Sequence, residues 1–409
     1  MSLDWWTEST GNARVPRETD EADVISGQAW TDFAEAVRRA GDEILRGDVP
    51  GSPLDRATGF RHLLILMHIA IDQQLDRSDP WYPSLGQISR TDLYKWGLDC
   101  PDAAYRGSAI KGDLTYRVWG NLGTVHYLSF QVNEGMRNHG NVRGDQLQTG
   151  PDGSFELWIG PDRHEGNWLR TPPTAGQLII RQFFYDWDTE QAATLHIERV
   201  SGGVPPAGDD ATFPNPARVA RQLRGVGTFL NGMAKVWNDA EVEGQKTSRN
   251  AFQPATAKPE TGGAEENING WGHFDLGPDE ALIVEVEPAR AHYWSLHVGN
   301  FWWESLDYAT RQTSLNGRQA VLDDDGLFRA VIAHADPGVP NWLDTMGHLV
   351  GPMLFRWVIS DSSPEPVCTV VPFDDVRRHL PASTPVVTPA ERAATIARRR
   401  AHVLRRFAC

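Results

Sequence analysis

The stretch that decides the fold is His126-Tyr127-Leu128-Ser129-Phe130-Gln131-Val132, because it recurs as His292-Tyr293-Trp294-Ser295-Leu296-His297-Val298. Alternate residues of a strand face opposite sides of a sheet, so each stretch has an apolar face that begins with its histidine and a polar face that begins with its tyrosine. We expect the apolar face to be core and the polar face to meet solvent or line a concave mouth.

Further blocks repeat around these stretches in the same order. Each copy has an alternating strand before the stretch, an Asp-Gly turn with a strand after it, then Asn-Trp-Leu and an arginine that ends an apolar run. They lie at 114–119 and 282–286, 152–159 and 325–332, 167–169 and 341–343, and Arg181 and Arg356. Matched blocks in one order predict an internal duplication.

Short strands of period two, separated by turns, are typical of antiparallel sandwiches or jelly rolls. The sequence therefore predicts a mainly β fold with helical segments (α+β), built from two tandem jelly-roll-like β-sandwich units. The predicted parts are an N-terminal arm and helical region at 1–100, a first β-sandwich unit at 101–204, a helix and linker at 205–270, a second unit at 271–385 and a C-terminal docking helix at 386–409.

Helix signals lie outside the repeats. Apolar residues at steps of three and four predict helices from Ser26 to Gly47 and from Asp55 to Leu75. Asn215-Pro216 predicts the start of a third helix, and Thr388 with Glu391 forms the capping box of a last one. Residues 241–270 are predicted to be a linker or surface loop.

Composition narrows the classes of partner. The 409 residues carry a formal charge of -15, which disfavours nucleic acid because phosphate binding needs clustered Lys and Arg. Three scattered cysteines form no disulfide framework, and the first residues carry no secretory signal. The most apolar run, at 60–71, is too short for a bilayer. We expect a cytoplasmic protein with no membrane partner, a small-molecule ligand and a possible homo-oligomeric state.

Five blocks resemble a known group of sequences. They are Tyr105-Arg106 with 112–118, Gly166-Asn167-Trp168-Leu169, Arg181 with Asp186-Trp187, Pro278-Asp279-Glu280-Ala281-Leu282, and 337–345. These blocks resemble the bacterial domain-of-unknown-function families 1254 (N-terminal) and 1214 (C-terminal), the second over about residues 270–373 and echoed in the first copy. The resemblance implies a two-domain, β-rich architecture and brings no reaction and no catalytic residues.

The repeat also separates residues that serve the fold from candidates for function. Residues that both copies share are expected to be structural: Asn167 and Asn341 as turn anchors, Trp168 and Trp342 as covers of a sandwich end, and Arg181 and Arg356 in satisfied pairs.

Residues present only in the second copy are the candidates for function. The second copy has His297 where the first has Gln131, and a longer segment follows it. The predicted catalytic residues are His297, Glu304, Tyr308, Asp344 and His348, with Trp302, Trp303 and Asp307 as substrate-binding residues. No metal is expected, because His334, Asp336, Asp344 and His348 lack a metal-ligand spacing.

Three functions fit this sequence. The first is a cofactor-independent enzyme that acts by general acid/base chemistry on a small cyclic substrate, such as a sugar or an alicyclic alcohol or ketone. The second is a non-catalytic binding protein for an apolar or glycan ligand, which would use some of the 16 tryptophans. The third is an oligomeric scaffold. The sequence leaves open which of them applies, and therefore whether the protein is an enzyme.

Overall fold

The computed structural model describes residues 16–75, 79–87, 95–135, 137–201, 203–205, 215–257 and 263–407. The predicted N-terminal arm therefore falls mostly outside the described residues, as do Trp5 and Trp6. None of the helices within these ranges combines the length and the apolar composition that crossing a bilayer requires.

A helical layer precedes and separates the β units. The helices are α1 (Asp20–Ser26), α2 (Gln28–Ile44), α3 (Pro53–Leu75), α4 (Pro216–Thr247) and α5 (Pro389–Phe407). The predicted caps are present: the Asn215 side chain accepts from the Arg218 N–H at 3.2 Å, and the Glu391 carboxylate accepts from the Thr388 N–H at 2.8 Å. The apolar faces of α2, α3 and α4 form one core, into which Phe301 and Trp302 of the second unit also pack.

The first unit consists of two antiparallel-rich sheets. Its inner sheet has the order β1-β2-β8-β4-β5, and its outer sheet has the order β7-β6-β3-β9. The strands are β1 (Gly86–Gln87), β2 (Ala103–Ala109), β3 (Tyr116–Asn121), β4 (Tyr127–Glu134), β5 (Arg137–Arg143), β6 (Ser154–Gly160), β7 (Trp168–Arg170), β8 (Gln177–Phe183) and β9 (Thr194–Arg199).

The second unit repeats this plan. Its inner sheet has the order β10-β11-β17-β13-β14, and its outer sheet has the order β16-β15-β12-β18. The strands are β10 (Ala251–Phe252), β11 (Asn267–Asp275), β12 (Glu280–Val286), β13 (Ala291–Val298), β14 (Ser314–Asn316), β15 (Phe328–Ala333), β16 (Trp342–Asp344), β17 (Val350–Ser360) and β18 (Val367–Pro372).

The two strand orders correspond position by position, so the chain is β-rich with two similar, sandwich-like pairs of sheets. The matched stretches occupy equivalent strands, β4 and β13, each next to the strand that carries the repeated arginine. Ser129 lies opposite Arg181 on β8, and Ser295 lies opposite Arg356 on β17. The predicted apolar faces are core: Leu128 and Phe130 lie in one sandwich, and Trp294 and Leu296 lie in the other.

The repeated asparagines hold equivalent backbone positions. The Asn167 amide donates to the carbonyls of Gln148 and Glu156, each at 2.8 Å. The Asn341 amide donates to the carbonyls of Val321 and Arg329, at 2.6 and 2.9 Å. Each side chain thereby fixes a parallel strand crossing, since β6–β7 and β15–β16 are the parallel pairs of the two outer sheets.

The two units pack through the polar faces of their inner sheets. Ser129 and Ser295, which lie on these polar faces, are buried. Where the matched stretches begin, outside these faces, the rings of His126 and His292 stack at 4.1 Å, and each Nε2 lies 2.6 or 2.9 Å from the other residue's backbone oxygen. Nearby, the rings of Phe183 and Tyr293 lie 5.2 Å apart. The polar face expected to meet solvent or a mouth is therefore buried between the units.

One loop prediction is wrong. Residues 241–270 are not a linker throughout, because α4 continues to Thr247 and β10 and β11 begin at Ala251 and Asn267. The end of α4 packs closely on β11, where a Cβ on Gly244 would lie 2.0 Å from the His273 ring. His273 and Glu241 are both buried, with their side chains 2.9 Å apart. Polar residues of this kind are typical of a surface, and for that reason the sequence predicts a loop for this segment.

The helix α5 docks where the two units meet. Arg399 donates to the Tyr308 carbonyl at 3.0 Å, and Arg392 binds Asp336 at 2.9 Å. His402 lies 2.5 Å from the Trp187 carbonyl through Nδ1 and accepts from Arg406 through Nε2 at 2.9 Å. In the neutral imidazole, Nδ1 thus donates and Nε2 accepts. Protonation would place an N–H on Nε2, where it would face the N–H of the Arg406 guanidinium and repel it.

This arrangement makes the stability of the fold depend on pH. Burial, followed by the charge of Arg406, lowers the pKa of His402 from 6.5 to about 2. Below pH 6.5 the unfolded chain takes up a proton that the folded chain refuses, so stability falls as the pH falls. We expect His402 to contribute a loss of about 1.4 kcal/mol per pH unit between pH 6 and pH 4.

Urea unfolding of the wild type and His402→Asn at several pH values measures this contribution, because the asparagine amide can still donate to Trp187. The variant should show a shallower dependence on pH, while His196→Asn, at an exposed position, should match the wild type. Identical slopes for wild type and His402→Asn would contradict the assignment.

Candidate functional site

Two of the residues that differ between the units, His297 and Trp271, lie on the inner sheet of the second one. His297 lies opposite Leu354, and Leu354 lies opposite Trp271, so the three form one row across β13, β17 and β11. The equivalent row of the first unit is Gln131, Ile179 and Gly107. The imidazole of His297 therefore stands where the first unit has the amide of Gln131, and the indole of Trp271 stands where the first unit has Gly107, which has no side chain.

A tight turn after His297 brings the candidate residues inward. The Asn300 side chain accepts from the Trp302 N–H at 3.0 Å, and its amide donates to Glu304 at 2.7 Å. The Leu98 N–H bonds the Trp303 carbonyl at 2.7 Å, and both residues have left-handed backbones, with φ of 52° and 61°. Such conformations cost about 1–3 kcal/mol each and concentrate at functional sites.

Lys95 lies beneath this turn and is only 5% exposed. Its ammonium donates to the carbonyls of Ser305 and Leu306, at 2.7 and 2.9 Å, and to the Ser305 hydroxyl at 3.3 Å. It also lies 4.8 Å from the centre of the Tyr308 ring. All three of its protons are therefore engaged, and Lys95 fixes the turn while leaving a positive charge inside the protein.

Lys95 and four neighbours form what we call the buried centre: Lys95, Asp99, His297, Glu304 and Tyr308. Burial lowers the pKa of Lys95, although the charges of Asp99 and Glu304 oppose the shift. Burial raises the pKa of Asp99, against the opposing charge of Lys95. Burial also lowers the pKa of His297 well below its usual value, with the charges of Arg356 and Lys95 acting in the same direction.

Several polar atoms of the buried centre have no hydrogen-bond partner among the described residues. They are Asp99 Oδ2 and Tyr308 Oη, while the ring of His297 has a contact with the Leu98 backbone, which acts to raise its pKa, and no other hydrogen-bond partner in the described ranges. Asp99 uses only its other oxygen, which accepts from the Ser305 N–H at 3.2 Å. A buried polar group without a partner costs about 1–3 kcal/mol, so these atoms keep unused hydrogen-bonding capacity inside the protein.

Glu304 differs from its neighbours because its partners are already in place. Its two oxygens contact His62 Nδ1 at 3.1 Å and the Asn300 amide at 2.7 Å. Burial alone would raise the pKa of Glu304, but His62, the Asn300 hydrogen bond and the charge of Lys95 together outweigh burial and lower the pKa. Glu304 is therefore an ionised carboxylate that ties the turn to α3.

Three tryptophans lie beside the buried centre. Trp303 stacks on Trp237 at 4.7 Å and on Trp271 at 4.9 Å, and Leu354 packs against the same cluster. Within the described part of the chain, the indole N–H groups of Trp237 and Trp303 find no acceptor. The row that begins at His297 thus ends in an apolar, aromatic surface.

The remaining predicted site residues have other contacts. Trp302 packs on α3, where a Cβ on Gly59 would lie 2.7 Å from its ring, and its indole donates to the Asp55 carbonyl at 3.0 Å. Asp307 accepts from the backbone of Ala309 at 2.9 Å and shapes the local turn.

Asp344 and His348 lie in ion pairs apart from the buried centre. Asp344 contacts Arg311 at 3.3 Å, and His348 contacts Asp55 at 3.0 Å. The structure thus places Glu304 and Tyr308 close to Lys95, puts His297 within range of its charge, and gives Asp344 and His348 separate partners.

Sequence reasoning missed Lys95 and Asp99. They precede the first repeat, so the comparison of the two copies could not single them out. The available signal was local: Lys95 and Asp99 alternate with Trp96, Leu98 and Cys100, which is unusual for a solvated lysine and aspartate.

A metal centre and a surface groove are two other kinds of site. Within the described ranges, no group of three or more His, Cys, Asp or Glu side chains is placed to hold a metal ion. A groove of about 460 Å³ crosses the outer sheet of the first unit beside Trp119 and Trp158. His164 stacks on Trp158 at 3.7 Å, and Arg117 and His196 cover Trp119, so these rings already have stacking partners.

Comparison with known proteins gives the chain's relationships. A family model described as a protein of unknown function, DUF1214, matches residues 124–185. The match lies in the first unit, whereas the sequence resemblance placed this family at about 270–373. Nothing found supports the resemblance to family 1254, and no curated protein matches the chain.

Among solved structures, a crystal structure of an uncharacterised protein from Burkholderia cenocepacia is 33% identical. It covers 87% of this chain and 100% of its own, with a TM-score of 0.82. A Vibrio parahaemolyticus protein matches at 9% identity, covering 82% of this chain and 100% of its own, with a TM-score of 0.43. The chain thus belongs to the family of the uncharacterised Burkholderia cenocepacia protein and contains a match to the domain of unknown function DUF1214.

Proposed function

We propose that the protein is a cofactor-independent enzyme that uses general acid/base chemistry on a small cyclic ketone or alcohol held at the buried centre. The observation that carries the proposal is the pairing of opposite pKa shifts with unpartnered atoms in one place. His297 is held neutral and Asp99 is pushed towards its protonated form, so the pair offers a base and an acid at the same pH.

Each group has a distinct role in this proposal. A ring nitrogen of neutral His297 accepts a proton from the substrate carbon next to a carbonyl, and the Asp99 carboxyl donates its proton to the developing enolate oxygen; the reverse steps return a proton to the carbon. Tyr308, whose pKa is raised by burial, remains a neutral hydroxyl donor to the same oxygen. Lys95 is a positioning residue, because it holds the turn and its charge favours anionic character in the reacting molecule.

The tryptophan cluster supports a cyclic substrate. Trp303, Trp271 and Leu354 form an apolar surface in the same row as His297, and an alicyclic ring would bury its carbon skeleton there. The keto group would then face the polar side of the row.

Proton exchange tests this function directly. We expect the wild type to exchange the α-protons of cyclohexanone in D2O faster than buffer does, as followed by loss of their proton NMR signal. His297→Gln, which has the amide of the first unit, should fold and lose about 10²–10⁴-fold in exchange rate, and Asp99→Asn should lose a comparable factor. His196→Gln is the matched control on an exposed histidine.

The pH profile is a second readout. Because the pKa of His297 is held far below that of a solvent-exposed histidine, exchange should stay constant where exposed histidines titrate. Wild-type exchange no faster than buffer, or full activity in His297→Gln, would overturn the proposal.

A non-catalytic binding role is the second candidate, and the unpartnered indoles of Trp237 and Trp303 favour it. Cyclohexanone that quenches tryptophan fluorescence at saturable concentrations, without α-proton exchange, would support binding and exclude the acid/base role. Trp303→Ala should abolish that quenching, while Trp119→Ala on the outer sheet should leave it unchanged.

A further inference from the structure

The row next to His297 contains a buried cation with an unused donor. Arg356 is 7% exposed and lies opposite Asn269 on one side and Ser295 on the other. Its Nε donates to Asn269 Oδ1 at 3.2 Å. Its Nη1 has no acceptor among the described residues, and the same holds for the Ser295 hydroxyl.

In the first unit an internal hydrogen bond closes the equivalent position. There, Arg181 donates from Nη1 to the Gln131 side-chain oxygen, and Gln131 holds the place of His297. The arginine can therefore form a hydrogen bond with the residue diagonally opposite it, two positions along the neighbouring strand. In the second unit the same diagonal joins Arg356 to His297, and Arg356 Nη1 makes no hydrogen bond with that ring.

Negative charge acts on Arg356 from a distance, but within the described ranges no carboxylate forms a hydrogen bond with its guanidinium. The Phe183 ring lies 5.7 Å from the guanidinium carbon. Asp102 acts on Arg356 through its charge, but its oxygens are bonded to Tyr293, Trp187 and Asn316. Leaving a buried guanidinium proton unpaired costs more than leaving a neutral donor unpaired, so an anionic oxygen is the complement that this position lacks.

We propose that Arg356, with the Ser295 hydroxyl, binds a carboxylate group carried by the small molecule that occupies the buried centre. This inference rests on the proposed function for the location of the ligand and names its class, an alicyclic carboxylic acid. Arg356 Nη1 and the Ser295 hydroxyl can each donate to an oxygen of one carboxylate, and one buried cation next to a neutral hydroxyl suits a single negative charge.

Thermal shift and calorimetric titration test the inference without turnover. Cyclohexanecarboxylate should raise the melting temperature of the wild type at constant ionic strength, whereas cyclohexanemethanol and inorganic phosphate should not. Arg356→Lys keeps the charge but loses the planar fork, and we expect carboxylate affinity to fall about 10- to 100-fold. Arg378→Lys, at a solvent-exposed arginine, should bind like the wild type.

His297→Gln provides the reciprocal test. Its amide oxygen should accept from Arg356 as Gln131 accepts from Arg181, so the variant should melt at a higher temperature and lose the carboxylate response. Equal carboxylate affinity in wild type and Arg356→Lys, or a phosphate response larger than the carboxylate response, would overturn the inference. Carboxylate binding without any α-proton exchange would leave the inference standing and exclude the proposed reaction.

Discussion

Asp102→Ala is expected to lower the free energy of unfolding by about 3–5 kcal/mol, because removal of this fully buried carboxylate would leave its hydrogen-bond donors without an acceptor. Its oxygens accept from Tyr293 Oη at 2.7 Å and from Trp187 Nε1 and the Asn316 amide, each at 2.8 Å. These donors come from both units, so Asp102 joins them.

Urea unfolding measures this effect, and Asp145→Ala is the matched control because Asp145 is a solvent-exposed aspartate. Asp102→Asn should lie between wild type and alanine, since its amide keeps one acceptor and the side-chain volume. An Asp102→Ala variant within 1 kcal/mol of the wild type, on the scale of a surface substitution, would show that the three bonds do not hold the units together.

Trp342→Ala is expected to cost about 3–5 kcal/mol, the range for a large aromatic removed from a core. Trp342 is 8% exposed, packs with Ile283, Val331 and Val376, and donates to the Ala333 carbonyl at 3.0 Å.

Trp168→Ala is the control that the repeat itself provides. The sequence predicts equal effects at the two tryptophans, but Trp168 is only partly buried and is covered by Arg163 at 5.3 Å. The segment 373–380 covers the outer sheet of the second unit around Trp342. We expect thermal melts to show a much smaller loss for Trp168→Ala, and equal losses would contradict this difference in burial.

The fold could be predicted from the sequence wherever a local pattern was repeated or periodic. The period of two in the strands and the caps at Asn215 and Thr388 are signals within a few residues of one another, and the structure has them as predicted. The end of α4 was missed because burial of polar residues, such as Glu241 with His273, depends on a partner strand remote in sequence.

The candidate site could be predicted only in part for the same reason. Comparison of the two copies identifies His297 as a residue that only the second copy has, and His297 lies at the buried centre. It could not point to Lys95 or Asp99, because they have no counterpart to compare. It also grouped Asp344 and His348 with His297, whereas their partners Arg311 and Asp55 lie in segments that the repeat does not align.

The reciprocal contact of His126 and His292 is of the kind found in an isologous dimer, in which one patch meets its own copy about a two-fold axis. In a homodimer a single gene sets both halves of such a patch, so any substitution appears twice. Covalent joining of the halves removes that constraint. In this chain one half has Gln131 at the position where the other has His297. A single chain can therefore hold an asymmetry that a homodimer of one half cannot.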